Sequence, residues 1–514
     1  MNNPLLSILC AVAMLCASIH TQAQTFLPEE DAPIVQRFYP SISSRFGKAQ
    51  QTQVQRKRSE AGATLPPKGL LLLVQFSDTA FFTPNPHSAF DSLANSIDYT
   101  YNGATGSARE YFRAQSDGQY VPDFKVVGPI TLPHPMAYYG KNKNDTLGYD
   151  QYLADFVIEA CVAAQDSVEW TQFDSDGDGM VDLVYLLFAG MGEADSPLSN
   201  AIWPCKWDLA SVLYGGYTNQ TTYYYHWNEE TGKEDYNLPT FDGKMVYKFA
   251  CSNEWTHRCN CRCGIGTFVH EFSHALGLPD YYVLDDNSNK NYTPGSWSLM
   301  GYGNYVNNGN TPPNYSVYDK YFLGWVTPTF LSTSQQVTLP ADGETYYMLT
   351  RSGIAPADGA FTQDTVYYLE NRQYTGWDTY LPGHGLLVWQ VVYDEQKWFE
   401  GLPNTDAVRY TLVSASSETP LTYSTKGKER EDVPFPGSEK VTTLALSTKV
   451  ILQDITENPD GTITFSITTS STPTGINQIE TISQQGCYNI LGQLVDPNTY
   501  QGIVIQNDGK YLLR

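Results

Sequence analysis

Positive charge is scarce in this chain. Its 514 residues carry 31 Lys and Arg against 55 Asp and Glu, a net charge of −24. Phosphate backbones are held by clustered cations, so this balance excludes nucleic acid as a partner and suits an acidic, soluble protein of extracellular type. Long apolar runs are also missing. Beyond the first residues nothing approaches the roughly 20 consecutive apolar residues of a transmembrane span. Histidine is rare, with eight in the whole chain, so two of them four residues apart draw notice. Cysteine is limited to nine, and two of these lie in the first 16 residues.

The apolar segment Leu5 to Ala17, followed by polar residues, reads as a secretory signal peptide over 1–23, although no Lys or Arg precedes it. Neither Cys10 nor Cys16 follows the small residue that a lipoprotein signal requires. Export makes disulfides plausible among Cys161, Cys205, Cys251, Cys259, Cys261, Cys263 and Cys487. Their odd number leaves at least one thiol free or joined to a partner, and spacing does not reveal the pairing. Four of them crowd into 251–263. Their C-x-C-x-C spacing is not that of a zinc knuckle, so disulfides bracing that segment are expected rather than a second metal site.

Directly after that cluster stands His270-Glu271-Phe272-Ser273-His274-Ala275-Leu276-Gly277-Leu278-Pro279-Asp280, which reads H-E-x-x-H-x-x-G-x-x-D. On a helix, His270 and His274 project from one face and can grip one Zn²⁺. Glu271 stands beside them as a general base for a metal-activated water. Gly277 lets the backbone leave the helix by a left-handed turn, which can bring Asp280 back as third ligand. Three protein ligands leave a fourth position open, as in a catalytic site. The alternative, an amphipathic helix with ordinary histidines, accounts for the apolar stripe Phe272, Ala275 and Leu276 but not for the extended spacing. Twenty residues on, Met300 sits in the Gly-flanked turn Gly295–Gly303. It resembles the Met-turn beneath metzincin zinc sites, where the methionine is an apolar floor and not a ligand. Tyr302, two residues after it, resembles the tyrosine that stabilises the tetrahedral intermediate in the astacin and serralysin groups.

Elsewhere, residues 24–65 are polar, contain Arg56-Lys57-Arg58, and read as a propeptide or linker. Lys68 to Phe76 is a compact apolar run between turns, hence a buried strand that opens a catalytic domain over 66–330. Ser107 to Ala114 and the stretch near 150–165 read as helices. Asp174, Asp176, Asp178 and Asp182, with Gly at the sixth position, match the first half of a calcium loop. Tyr185 at the twelfth position rules out a full EF-hand, and a solvated acidic turn is the competing reading. From 331 to 470 short strands alternate with turns, as in a β-sandwich. Thr468 to Thr474 is a linker before a short module at 478–514. The fold class expected is α+β: a zincin-like or metzincin-like domain, a β-sandwich-like domain and a short β module.

Taken together, these residues resemble the immune inhibitor A family of secreted metallopeptidases over most of 66–440. Besides the metal motif, the likeness rests on Lys68–Phe76, Tyr111-Phe112, the Asp-rich loop, Ile202-Trp203-Pro204, Gly264-Ile265-Gly266-Thr267-Phe268, Trp297–Met300, Leu369–Gln373, Gly376-Trp377-Asp378 and Leu381–Leu387. The resemblance implies zinc on His270, His274 and Asp280, with Glu271 as base. Where relatives carry a His and an Asp after the strand tryptophan Trp389, this chain has Gln390 and Val392, which puts any role of that pair in doubt. The tail, with Cys487–Val495, Gly502–Ile505 and Gly509–Arg514, looks like a sorting domain of type IX secretion, with Val504 in place of the usual Tyr; it implies secretion machinery as a partner. The expectation is a secreted zinc endopeptidase acting on proteins or peptides, with calcium as a second ion. Its rivals are a catalytically silent, metal-stabilised adhesin or binding protein and a zinc hydrolase of non-peptide bonds.

Overall fold

The computed structural model describes residues 68–469, apart from 145–147, 176, 229, 232, 283–293, 402 and 417–431, together with the backbone of three short strands nearer the C-terminus. The signal and propeptide segments and Asp176 lie outside the described residues. The chain divides into two compact units, one ending at Thr469 and one running from Ser470 to Arg514.

The first unit is built on a six-stranded sheet: β1 (Lys68–Gln75), β2 (Asp123–Thr131), β3 (Val184–Met191), β4 (Cys205–Asp208), β5 (Lys248–Thr256) and β6 (Cys261–Arg262). β1 lies between β2 and β3, β3 pairs with β5, and all three pairings are parallel. β4 and β6 pair antiparallel with β5. The uninterrupted apolar run of β1 explains the parallel core, since a parallel strand is covered on both faces and needs no polar alternation. Leu71 and Leu73 enter one core with Phe268 and Phe272, whereas Leu70, Leu72 and Val74 enter another with Phe156 and Val157.

The longer helices that cover this sheet are α1 (Pro86–Asn95), α2 (Ala108–Gln115), α3 (Leu153–Ala164) and α4 (Gly266–Ala275). α3 lies on the second core, and the other three lie on the first. α2 starts one residue after Ser107 because Ser107 is its N-cap, forming a reciprocal capping box with Glu110. The α+β expectation holds at the level of a mixed helix–strand chain, but the central sheet is more parallel than that label conveys. No helix of the described residues is long and apolar enough to cross a membrane.

Two further sheets follow, from β7 (Thr329–Phe330), β8 (Gln335–Leu339), β9 (Tyr347–Thr350), β10 (Thr365–Arg372), β11 (Gly385–Val392), β12 (Tyr410–Val413), β13 (Leu444–Ala445), β14 (Val450–Glu457) and β15 (Ile463–Thr469). One has the order β7-β9-β10-β11-β12 and the other β8-β15-β14-β13. Strict alternation divides β10 and β11. Tyr367, Leu369, Leu386 and Val388 meet the four-stranded sheet, while Val366, Tyr368, Leu387, Trp389 and Val391 join the same core as Phe272 of α4. One apolar core therefore runs across position 330. In the second unit, Cys487–Asn489, Ile503–Gln506 and Tyr511–Leu513 form a small antiparallel sheet.

A buried ion network ties these layers together. Arg372 donates to Asp378 (2.9 Å) and to the carbonyls of Asn314 (3.2 Å) and Tyr315 (2.7 Å), and it pairs with Glu370 (3.0 Å). Asp378 accepts from the backbone N–H and side-chain amide of Asn314. The Tyr315 hydroxyl then hydrogen-bonds Ser273 on α4.

The start of α4 is fixed by backbone contact. A Cβ on Gly266 would fall 1.9 Å from the carbonyl oxygen of Asn304. Gly266→Ala is predicted to force this contact apart and destabilise the fold by at least about 1–3 kcal/mol, the usual cost of overpacking. Denaturant unfolding checks this, and a variant as stable as the parent contradicts the close approach.

Candidate metal centre

Helix α4 ends in the turn that the glycine anticipates. Gly277 has φ of 103°, the N–H of Leu278 bonds the carbonyl of Ser273 (3.2 Å), and the N–H of Gly277 bonds that of His274 (3.1 Å). These are the two hydrogen bonds of a Schellman termination. The chain then turns back past the helix. The N–H of Asp280 bonds the carbonyl of Gly401 (3.0 Å), and that of Tyr281 bonds the carbonyl of Met300 (3.0 Å).

Both imidazoles are oriented from behind. His270 Nδ1 lies 2.9 Å from the Leu299 carbonyl, and His274 Nδ1 lies 2.7 Å from that of Leu278. A carbonyl accepts only, so each Nδ1 carries a hydrogen, and in the neutral ring each Nε2 is left as the lone-pair donor. Both Nε2 atoms face Asp280 Oδ1, at 3.2 Å from His270 and 3.4 Å from His274. A tetrahedron with zinc–ligand bonds of about 2.0–2.1 Å has edges of about 3.3–3.4 Å. Apart from the two imidazole nitrogens, Asp280 Oδ1 is buried without a hydrogen-bond partner, so a cation or a proton must sit between them. The donor set therefore fits a four-coordinate metal. Glu271 also lies close, since ligand atoms of His270, Glu271 and His274 are within 4.8 Å of one another. Of the two carboxylates, Asp280 is the better third donor because its oxygen faces both nitrogens at tetrahedral spacing.

The electrostatics follow from burial. Burial lowers the pKa of His270, but Asp280 and Glu271 outweigh it, and the group is pushed up to about 9. Burial raises that of Asp280, yet the facing histidines hold it well below the ordinary carboxylate range. Burial lifts Glu271 above its ordinary value against the pull of His270 and His274. In the metal-free protein a proton on His270 thus faces the Asp280 carboxylate, and a metal ion must displace it.

The model of the Immune inhibitor A peptidase M6 catalytic domain matches residues 56–326, just over half of the chain. The chain belongs to the immune inhibitor A peptidase family. It is 27% identical over 238 residues to Immune inhibitor A of Bacillus thuringiensis subsp. alesti, a match covering 42% of this chain and 31% of that protein. It is 25% identical over 318 residues to Pre-pro-metalloprotease PrtV of Vibrio cholerae serotype O1, covering 52% of this chain and 31% of the relative. The matches thus span about a third of the length of these relatives.

Met300 is fully buried in the core that holds Phe272, and its turn is closed by Gly301 and Gly303 N–H bonds to the Ser298 carbonyl. Tyr302 is buried, with its ring stacked on Tyr282 at a centroid distance of 6.1 Å. Cys259 and Cys261 are bonded to each other, while Cys161, Cys205, Cys251 and Cys263 are thiols. In the aspartate loop, Asp174 accepts from Lys244 and from the N–H of Gly179, Asp178 from the N–H of Met180, and Asp182 from Ser175. Asp174 Oδ1 is buried without a partner.

Two features escaped the sequence reading. Lys206 in β4 alternates away from Cys205 and Trp207, which enter the second core. Burial lowers its pKa while Asp208, Glu271 and Asp280 raise it, so its charge is felt at the centre. Support for Asp280 comes from a distant part of the chain. Tyr281 stacks on Tyr410 at 3.6 Å, Asn404 donates to the carbonyls of both tyrosines, and the Tyr281 hydroxyl donates to Asp319 (2.7 Å).

Asp319 gives a pH test of this support. Burial raises its pKa from 3.8 to about 6, against hydrogen bonds from Tyr281 and Ser316. The folded carboxyl keeps its proton to higher pH than the unfolded one. Its contribution is complete below 3.8 and is lost as pH rises through about 6, on the order of 3 kcal/mol in all. Urea unfolding of the parent should weaken across this window relative to Asp319→Asn. A gap between the two that does not change with pH contradicts the assignment.

Proposed function

We propose that this chain is a zinc-dependent endopeptidase that hydrolyses peptide bonds of extracellular proteins. The observation that carries the reading is the convergence of His270 Nε2, His274 Nε2 and Asp280 Oδ1 at 3.2 and 3.4 Å, with Glu271 alongside. His270, His274 and Asp280 would hold the ion. Bound zinc supplies Lewis acidity to a water and to a carbonyl oxygen.

The chain's own residues do the rest. Glu271 accepts the proton of the attacking water and returns it to the departing amine nitrogen. The carbonyls of Leu299 and Leu278 hold the imidazoles in the tautomer that ligation needs. Met300 lies under the motif as an apolar floor, and Tyr302 is assigned a hydrogen bond to the oxyanion. The substrates are proteins or peptides.

Several finer assignments belong to the same reading. Calcium at Asp174, Asp176, Asp178 and Asp182 is supported by the unpartnered Oδ1 of Asp174. Lys244 competes for that aspartate. Residues 1–23 direct export, 24–65 form a propeptide or linker, and 478–514 engage secretion machinery, leaving the protein secreted or attached to the cell surface.

Glu271 distinguishes this reading from a silent, metal-stabilised adhesin, which has no use for a base beside the ligands. Glu271→Gln is predicted to lower casein hydrolysis by at least about 10²-fold, the scale of general-base catalysis, with zinc retained. Asp280→Ala is predicted to weaken zinc binding in equilibrium dialysis by more than about 100-fold, beyond the cost of losing an outer-layer partner. Hydrolysis at the parent rate by Glu271→Gln would falsify the base assignment. Unchanged zinc affinity in Asp280→Ala would remove the third ligand.

A further inference from the structure

Cys205 in β4 and Cys251 in β5 are direct cross-strand partners. Both are buried thiols, and their sulfurs lie 3.9 Å apart. Opposed residues of antiparallel strands have Cα atoms about 4.5–5.5 Å apart, within the 4.4–6.8 Å span of a disulfide. Of the other described thiols, Cys263 accepts instead from the Asn253 amide at 3.4 Å. Metal ligation does not account for the pair: neither cysteine belongs to the candidate metal cluster of His270, Glu271 and His274 found among the described residues.

We propose that Cys205 and Cys251 form a cross-strand disulfide, made as the chain folds by exchange with a disulfide oxidant. One thiolate attacks the oxidant's S–S bond, giving a mixed disulfide and releasing one oxidant thiol. The second thiolate attacks the cysteine sulfur of that mixed disulfide and expels the other oxidant thiol. Two cysteine thiols thus lose two protons and two electrons, and the oxidant disulfide takes up both pairs as two thiols.

The bond forms before the strands are enclosed. In the finished fold burial pushes the Cys205 thiol well above its ordinary value, which makes it a poor attacker. The consequence is local to the metal centre. β4 has β5 as its strand partner, and it carries Lys206, whose charge reaches Glu271 and Asp280. A covalent tie from Cys205 to Cys251 holds that strand in register beside the site.

The test is chemical and does not depend on peptidase activity. The full chain is secreted through an oxidising compartment, quenched with iodoacetamide, denatured, digested and mass-mapped without reductant. The expected result is a linked peptide pair containing Cys205 and Cys251 that disappears on dithiothreitol treatment, with the unfolding temperature lowered by the reductant. In Cys205→Ser, Cys251 should become alkylatable after denaturation. If secretion fails, reduced and denatured full chain refolded in a glutathione redox buffer is mapped the same way. Alkylation of both cysteines without reductant, or a link from either to another cysteine, overturns the proposal.

Discussion

The site depends on two backbone carbonyls. Leu299 and Leu278 accept from the Nδ1 atoms of His270 and His274, and so decide that both Nε2 lone pairs point at one place. A free histidine samples both tautomers and several ring orientations. Here each ring is fixed by a different segment, one from the Met-containing turn and one from the helix's own C-terminal turn. Any shift of either segment by an ångström would splay the nitrogens.

Much of the fold can be understood as the means of holding those two segments. The Met300 turn is anchored from above by the N–H of Tyr281. Its neighbour, the 304–309 stretch, packs backbone to backbone against Gly266 and Gly264 at the start of α4. Ser273 on the same helix reaches Tyr315, whose carbonyl is gripped by Arg372 from β10. The five-stranded sheet therefore supports the metal motif as well as capping a sandwich. One face meets the helix Val317–Phe322, where Tyr318 and Tyr321 contact Tyr368, and the other meets the four-stranded sheet.

The sequence made the proposed metal and base residues visible because they are local. H-E-x-x-H-x-x-G-x-x-D encodes helix face, helix termination and return turn within eleven residues. The strands with dense apolar runs, such as Gly385–Val392, were equally legible. What stayed hidden is long in sequence separation. Asn404 and Tyr410 hold Tyr281 from more than a hundred positions away, and no periodicity reports such a contact. The Cys259–Cys261 bond was also beyond reading, since seven cysteines past the signal allow many pairings. Lys206 carried no signal either, because two apolar neighbours in a four-residue strand give little warning of which face is covered.

Chemistry at this centre turns on which three atoms hold the metal. Zinc-edge X-ray absorption of the purified full chain, paired with anomalous diffraction at the same edge, addresses this directly. The prediction is one zinc bound by two imidazole nitrogens and one carboxylate oxygen, with an anomalous peak equidistant from His270 Nε2, His274 Nε2 and Asp280 Oδ1. A first shell containing cysteine sulfur, or a peak ligated by Glu271 in place of Asp280, would contradict it.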